Sequence, residues 1–242
     1  TAGRSLGRTI GKIVKSNTHY DYVCQVFCRG EVEQLPLPTD YALGAFVTID
    51  LEPPDASPDA ALPPTTLTGS QPVMTRLVGV IYDTILFNPD FGSLGPRLSQ
   101  SSELEIFSPD YLAETVTIVG VLALGWQTSD GCYHQGVPAL AATINTSVAC
   151  MGEDGLVAFH TAIGTGHASG NGATHGGNGA SASAGSVCLH YVPVLLSIRT
   201  PIVTQLLMDI VDRLTPHFPQ QTRALTVMRN NLAWKSIVEP AR

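Results

Sequence analysis

The side chains best suited to metal chemistry are four histidines, His160, His167, His175 and His190, because a neutral imidazole is a good ligand for zinc or copper. No zinc-type spacing joins them to acidic or thiolate partners. Three lie in or beside a glycine-rich stretch, where ordering the chain around one ion costs entropy, so they read as surface histidines. Gly164, Gly166 and Gly170, in GTGHASG, have the outward form of a phosphate loop. Such a loop needs a hydrophobic strand before it and an ordered helix after it, and here both flanks are low in complexity. G-x-x-x-x-G-K-[ST] does not occur, and G-x-S-x-G occurs only as GRSLG at Gly3–Gly7, ahead of the first predicted strand rather than on a strand-to-helix turn, so the chain carries no recognisable apparatus for nucleotide hydrolysis or for a nucleophile elbow.

Cys24 and Cys28 are four residues apart, which in an alternating strand places both on one face but about 13 Å apart, too far to share a metal ion. The five cysteines, Cys24, Cys28, Cys132, Cys150 and Cys188, sit mostly in apolar runs and read as reduced, buried thiols. Asp83 is the most unusual carboxylate because it interrupts the apolar run LVGVIYDTILF. It belongs either to a strand's solvent face or opposite a basic group on a contacting chain. Beyond it, Phe91, Leu94 and Leu98 stand among turn formers in NPDFGSLGPRLS, as buried plugs or as an exposed contact patch. These four residues are the candidate partner contacts; no catalytic, cofactor or metal residue is predicted.

Holding such residues in place requires a core, and 242 residues with 44% hydrophobic side chains supply one. A charged fraction of 14%, with 23 Gly and 17 Pro, argues for many turns and against a helical bundle. The net charge of -7 is unevenly spread. Between Glu31 and Asp154 only Arg76 and Arg97 stand against sixteen acidic residues, so this region should repel nucleic acid. Basic residues gather at the ends, as Arg4, Arg8, Lys12 and Lys15, and as Arg199, Arg213, Arg223, Arg229, Lys235 and Arg242. No run of 18 apolar residues occurs and Thr1 to Arg8 lacks a secretory core, so membrane insertion is not expected and the cytoplasm is the expected location.

Strand chemistry recurs along the chain. Thr9–Val14 and Tyr20–Cys28 are rich in β-branched and aromatic residues and flank a polar turn, predicting an antiparallel pair. Ala45–Leu51, Leu77–Phe87 and Glu114–Trp126 follow, with Gly79 marking a bulge or bend and the last strand closing a small barrel. Pro138–Cys150 holds a further strand, and Glu153 and Asp154 suit the start of a helix. The proline-rich stretch 52–64 reads as an insertion, and 164–185 as a flexible linker. From Thr200 the period changes: Ile202, Leu206, Ile210 and Leu214 recur every four residues. A second helix carries Leu225, Met228, Leu232 and Ile237. The expected fold is therefore α+β: a small antiparallel β-barrel over 1–163, the linker 164–185, and a C-terminal helical hairpin within 186–242 that shares no seam with the barrel.

The order strand, turn, strand, then D-Y-A-x-G-x-F-V at Asp40–Val47 and L-V-G-V-I-Y-D at Leu77–Asp83 resembles the small barrel of HerA-type ATPases and rotary ATP synthase subunits, the HAS barrel. The opening I-G-x-[IV]-V is found at Ile10–Val14, and the resemblance covers roughly residues 8–126. In HerA proteins that barrel precedes a hexameric P-loop motor and helps dock the nuclease NurA; here a linker and two helices follow instead. The resemblance implies a non-catalytic adaptor or assembly subunit beside a HerA-like ATPase or NurA-like nuclease, meeting nucleic acid only indirectly, with self-assembly into an oligomer compatible with that role. Two alternatives stay open: a nucleic-acid-binding module using the basic termini, and a hydrolase whose residues assemble across the linker.

Overall fold

Alternation of apolar and polar residues dictates the strands, and the computed structural model forms seven of them among the residues it describes, which are 7–51, 73–87, 116–161, 186–198, 200 and 202–238. They are β1 (Thr9–Ser16), β2 (Asp21–Val26), β3 (Phe46–Asp50), β4 (Met74–Phe87), β5 (Val116–Thr128), β6 (Tyr133–Gln135) and β7 (Ser147–Cys150). Six close into an antiparallel barrel in the order β1-β7-β3-β4-β5-β2, with β2 returning to β1. β5 completes the ring, as expected, by pairing Ile118–Leu122 with β2. Further along the same strand, Gly125–Gln127 pair with β6, which stands outside the barrel. The barrel and helices give the α+β fold anticipated from the sequence.

Gly79 does mark an irregularity. The β4–β5 register shifts between Val78 and Gly79, leaving Leu124 of β5 without a partner in the ladder. A Cβ at Gly79 would lie 2.8 Å from Val121 Cγ1 and 3.0 Å from the Leu122 carbonyl oxygen, so two strands approach here only because the side chain is missing.

The strands carry apolar residues on both faces, and each face has its own core. Inside the barrel lie Ile10, Ile13, Tyr22, Cys24, Val47, Ile49, Leu77, Ile81, Val119, Val121, Ala123 and Val148. The opposite parity, Phe46, Val78, Val80, Leu122 and Leu124, points outward and is buried under helices. These are α1 (Glu153–Thr161), α2 (Val192–Ser197), α3 (Ile202–Leu214) and α4 (Thr222–Val238). α3 contributes Val203, Leu206, Leu207, Ile210, Val211 and Leu214, which sit on one stripe of a 3.6-residue period. Its buried stripe therefore runs from Val203, while Ile202 is exposed. α4 packs on α3 through Leu225, with Met228 and Leu232 beside it, and Arg229 pairs with Asp212 across the two helices at 2.6 Å.

Two sequence expectations need correction. The C-terminal helices do share a seam with the barrel: one apolar cluster runs without a break from Val80 and Leu122 to Leu206 and Leu225. The thiols are also less uniform than their apolar surroundings suggested, because Cys24 is buried, Cys28, Cys150 and Cys188 are half-buried, and Cys132 is exposed; all five are free. Cys28 lies past the end of β2, so strand alternation does not place it. The stretches 52–64, 88–99 and 164–185, read as insertion, loop and linker, lie outside the described residues.

Candidate functional site

A cleft of about 490 Å³ opens where β3, β4, β5, β6 and the start of α1 meet. Its polar wall is formed by Asp50, Arg76, Gln127, Tyr133, Glu153 and Asp154. Register explains the first pair, since Asp50 stands opposite Arg76 in the β3–β4 ladder and Arg76 Nε donates to its carboxylate. Gln127 Nε2 donates to the Gly131 carbonyl at 3.2 Å. Glu153 is engaged by Arg213 of α3 and by His217 at 3.3 Å, and the Arg213 guanidinium holds its carboxyl below the usual range. Three carboxylates thus meet two guanidiniums, Arg76 and Arg213, each already paired, a balance that leaves the wall acidic and unsuited to phosphate. Among the described residues no group of three or more His, Cys, Asp or Glu side chains is placed to hold a metal ion.

A second junction lies behind the cleft, where His160 is fully buried. The sequence placed it on the surface because it borders the glycine-rich stretch; the structure places it at the end of α1, ringed by Phe46, Phe159 and Tyr191 at centroid distances of 5.3, 5.1 and 5.6 Å. Its Nδ1 faces the Leu156 carbonyl oxygen at 2.7 Å, which can only accept, so Nδ1 carries the proton. Nε2 is then the acceptor for the Tyr191 hydroxyl at 2.9 Å. Burial, reinforced by the positive charge of Arg213, lowers the imidazole pKa to about 4 and keeps the ring neutral. Gln135 of β6 completes the junction: Nε2 donates to the Phe159 and Cys188 carbonyls at 3.0 and 2.9 Å, and Oε1 accepts from the His190 amide at 2.7 Å. The sequence signal that was overlooked is the apolar run LVAF immediately before His160, which carries the histidine into the core with Leu156 and Phe159.

Of the four predicted contact residues, Phe91, Leu94 and Leu98 lie outside the described residues. Asp83 is exposed on β4, and its carboxylate accepts from the Thr84 amide at 2.8 Å. Here β4 runs past the end of its ladder with β3 and stays paired with β5, Ile85 opposite Ile118 and Phe87 opposite Val116; β5 remains paired with β2 as far as Ile118, and beyond it Leu86 and Phe87 against Thr117 and Val116 form a two-stranded ribbon. Where β4 leaves β3, Tyr82 lies across Gly120, where a Cβ would come within 2.9 Å of the ring, and its hydroxyl donates to Asp21 at 2.8 Å. Beyond that point three consecutive apolar side chains stand in solvent: Ile85 is 54%, Leu86 79% and Phe87 55% exposed. No described strand pairs with the other edge of β4 past Ile81.

Four of the described basic residues near the ends are committed to carboxylates. Arg8 pairs with Asp40 at 3.0 Å, Lys12 with Glu31 at 3.2 Å, Arg213 with Glu153 and Arg229 with Asp212. No described helix is long and apolar enough to cross a membrane. No curated protein matches the sequence. Residues 4–169, which span the whole barrel and α1, match a family described as a domain of unknown function (DUF8166), and the chain belongs to that family.

Proposed function

We propose that this chain is a non-catalytic assembly subunit that engages a protein partner through the ribbon formed by the outer ends of β4 and β5. The observation that carries this reading is the run Ile85–Leu86–Phe87, largely exposed on a strand whose second edge is open among the described residues. Contiguous exposed apolar side chains and an unpaired strand edge are both costly to leave in water and both suited to a partner. An added strand would take main-chain hydrogen bonds from the edge and seat its side chains against Ile85 and Phe87. The partner class follows from the HAS-barrel resemblance: a ring-forming ATPase of the HerA type, or its nuclease, in DNA processing. That step is analogy at the level of fold and family pattern.

Replacing Ile85 and Phe87 together by Ser separates this role from a structural one. Both side chains are mostly exposed, so the fold should lose no more than about 2 kcal/mol, up to about 1 kcal/mol of strand propensity at each position. Affinity purification from the source organism should lose the ATPase or nuclease that the wild-type chain brings down. A double variant that still recovers that partner at the wild-type level refutes the ribbon as the contact.

A further inference from the structure

We infer that the junction of His160 and Tyr191 is an acid-sensitive latch, in which protonation of His160 undocks the C-terminal segment carrying α2, α3 and α4 from the barrel. The latch is independent of the ribbon and of any partner. Its geometry is a single buried imidazole bridging two parts of the chain: its ring hydrogen-bonds within α1 at Leu156 and across to Tyr191, immediately before α2. The main chain is joined at the same place, where the Cys188 amide donates to the His160 carbonyl at 2.7 Å and Gln135 ties Phe159 to Cys188.

Protonation sets both ring nitrogens as donors, so Tyr191 can no longer donate to Nε2, and a cation sits inside an aromatic ring of side chains cut off from water. Only the Leu156 carbonyl favours the charged ring, and burial outweighs it. β3 presents the uncharged Phe46, the segment before α2 presents Tyr191 and Cys188, and β6 presents Gln135 and, against Phe159, Tyr133. α3 presents Arg213, whose charge opposes a second cation. The carboxylates of α1, Glu153 and Asp154, lie at its first turn, and Glu153 is occupied by Arg213 and His217. Undocking exposes the ring to water and lets the imidazolium form at its ordinary affinity.

The sign follows from linkage. Docked, the ring takes a proton only near pH 4; released, it does so near the ordinary histidine value. The released form therefore binds more protons between those limits, and docking weakens as pH falls through that window. Between pH 7.5 and pH 5 the opening constant should rise roughly thirtyfold from His160 alone.

Hydrogen exchange on the intact chain, corrected for the pH dependence of chemical exchange, reads this directly. Peptides from α3 and α4 should lose protection by that factor while β1 and β7 keep theirs, and His160→Gln should flatten the dependence. Loss of protection by all strands and helices together would show global unfolding and overturn the latch, as would an unchanged pH profile in His160→Gln, which would assign the effect to a group other than His160. If His160→Gln does not fold, the wild-type ring resonance decides: a midpoint near 4 supports the latch, and one near 6.5 refutes it.

Discussion

Cys24 and Cys132 show how differently one residue type behaves a few strands apart. Cys24 faces the barrel interior, where burial pushes its thiol up to about 12. Cys132 is exposed in the turn between β5 and β6, where the Asp130 carboxylate raises its thiol by hydrogen bonding and charge. Reaction with a thiol reagent requires both thiolate and access. At pH 8.5 the native chain should therefore label Cys132 first and leave Cys24 untouched until the barrel unfolds, and Cys132→Ser should remove that fast phase. Mass spectrometry of the labelled peptides checks it, and Cys24 reacting as fast as Cys132 would mean that the interior is open to solvent. At this scale the sequence was least informative. A histidine beside a glycine-rich stretch reads as solvated, and nothing in its neighbours reveals Tyr191, 31 residues further on, as the donor that holds it.

Elements were far more legible, because periodicity is local and survives without knowledge of the fold. β4 and β5 were visible as apolar runs, Gly79 as an irregularity and α3 as a stripe, each within a few residues of its bounds. What escaped were short elements defined by tertiary partners. β6 is three residues long and has no pattern of its own; it exists because β5 continues past β2 and offers a free edge at Gly125–Gln127. α2 likewise owes its place to Leu195, buried in the helix-covered cluster. The function of β6 is concentrated in Gln135, whose carboxamide satisfies three backbone groups on two segments. Gln135→Ala should cost about 1–3 kcal/mol, the penalty for leaving part-buried polar groups unpaired, and should loosen residues 186–191 before the barrel. Chemical denaturation gives the first quantity and hydrogen exchange the second. Loss of less than about 0.5 kcal/mol with unchanged exchange would mean that water replaces the amide without cost.

For the whole molecule, the question is where the folding unit ends. The glycine-rich stretch placed a boundary near residue 163, and the family pattern also stops close by, at residue 169. Packing argues for a larger unit. The outward face of β3, β4 and β5 is as apolar as the inward one, and α3 covers it with six buried side chains. A barrel strand with one solvated face would alternate polar residues there, and Phe46, Val78, Val80, Leu122 and Leu124 do not. The chain cut after residue 163 should consequently keep strand pairing but expose this face and α1's Leu156 and Phe159, giving dye binding, aggregation through the uncovered face and a lower melting temperature. Supplying residues 186–242 as a separate chain should restore solubility and raise the melting temperature, because the missing piece is a surface cover rather than a strand of the barrel. Leu206→Ala in the intact chain tests the same seam more gently and should cost about 2–5 kcal/mol, as expected for a large-to-small change in a core. A cut chain that is monomeric and melts within a few degrees of the intact one would place the boundary at the glycine-rich stretch after all and make α3 an accessory.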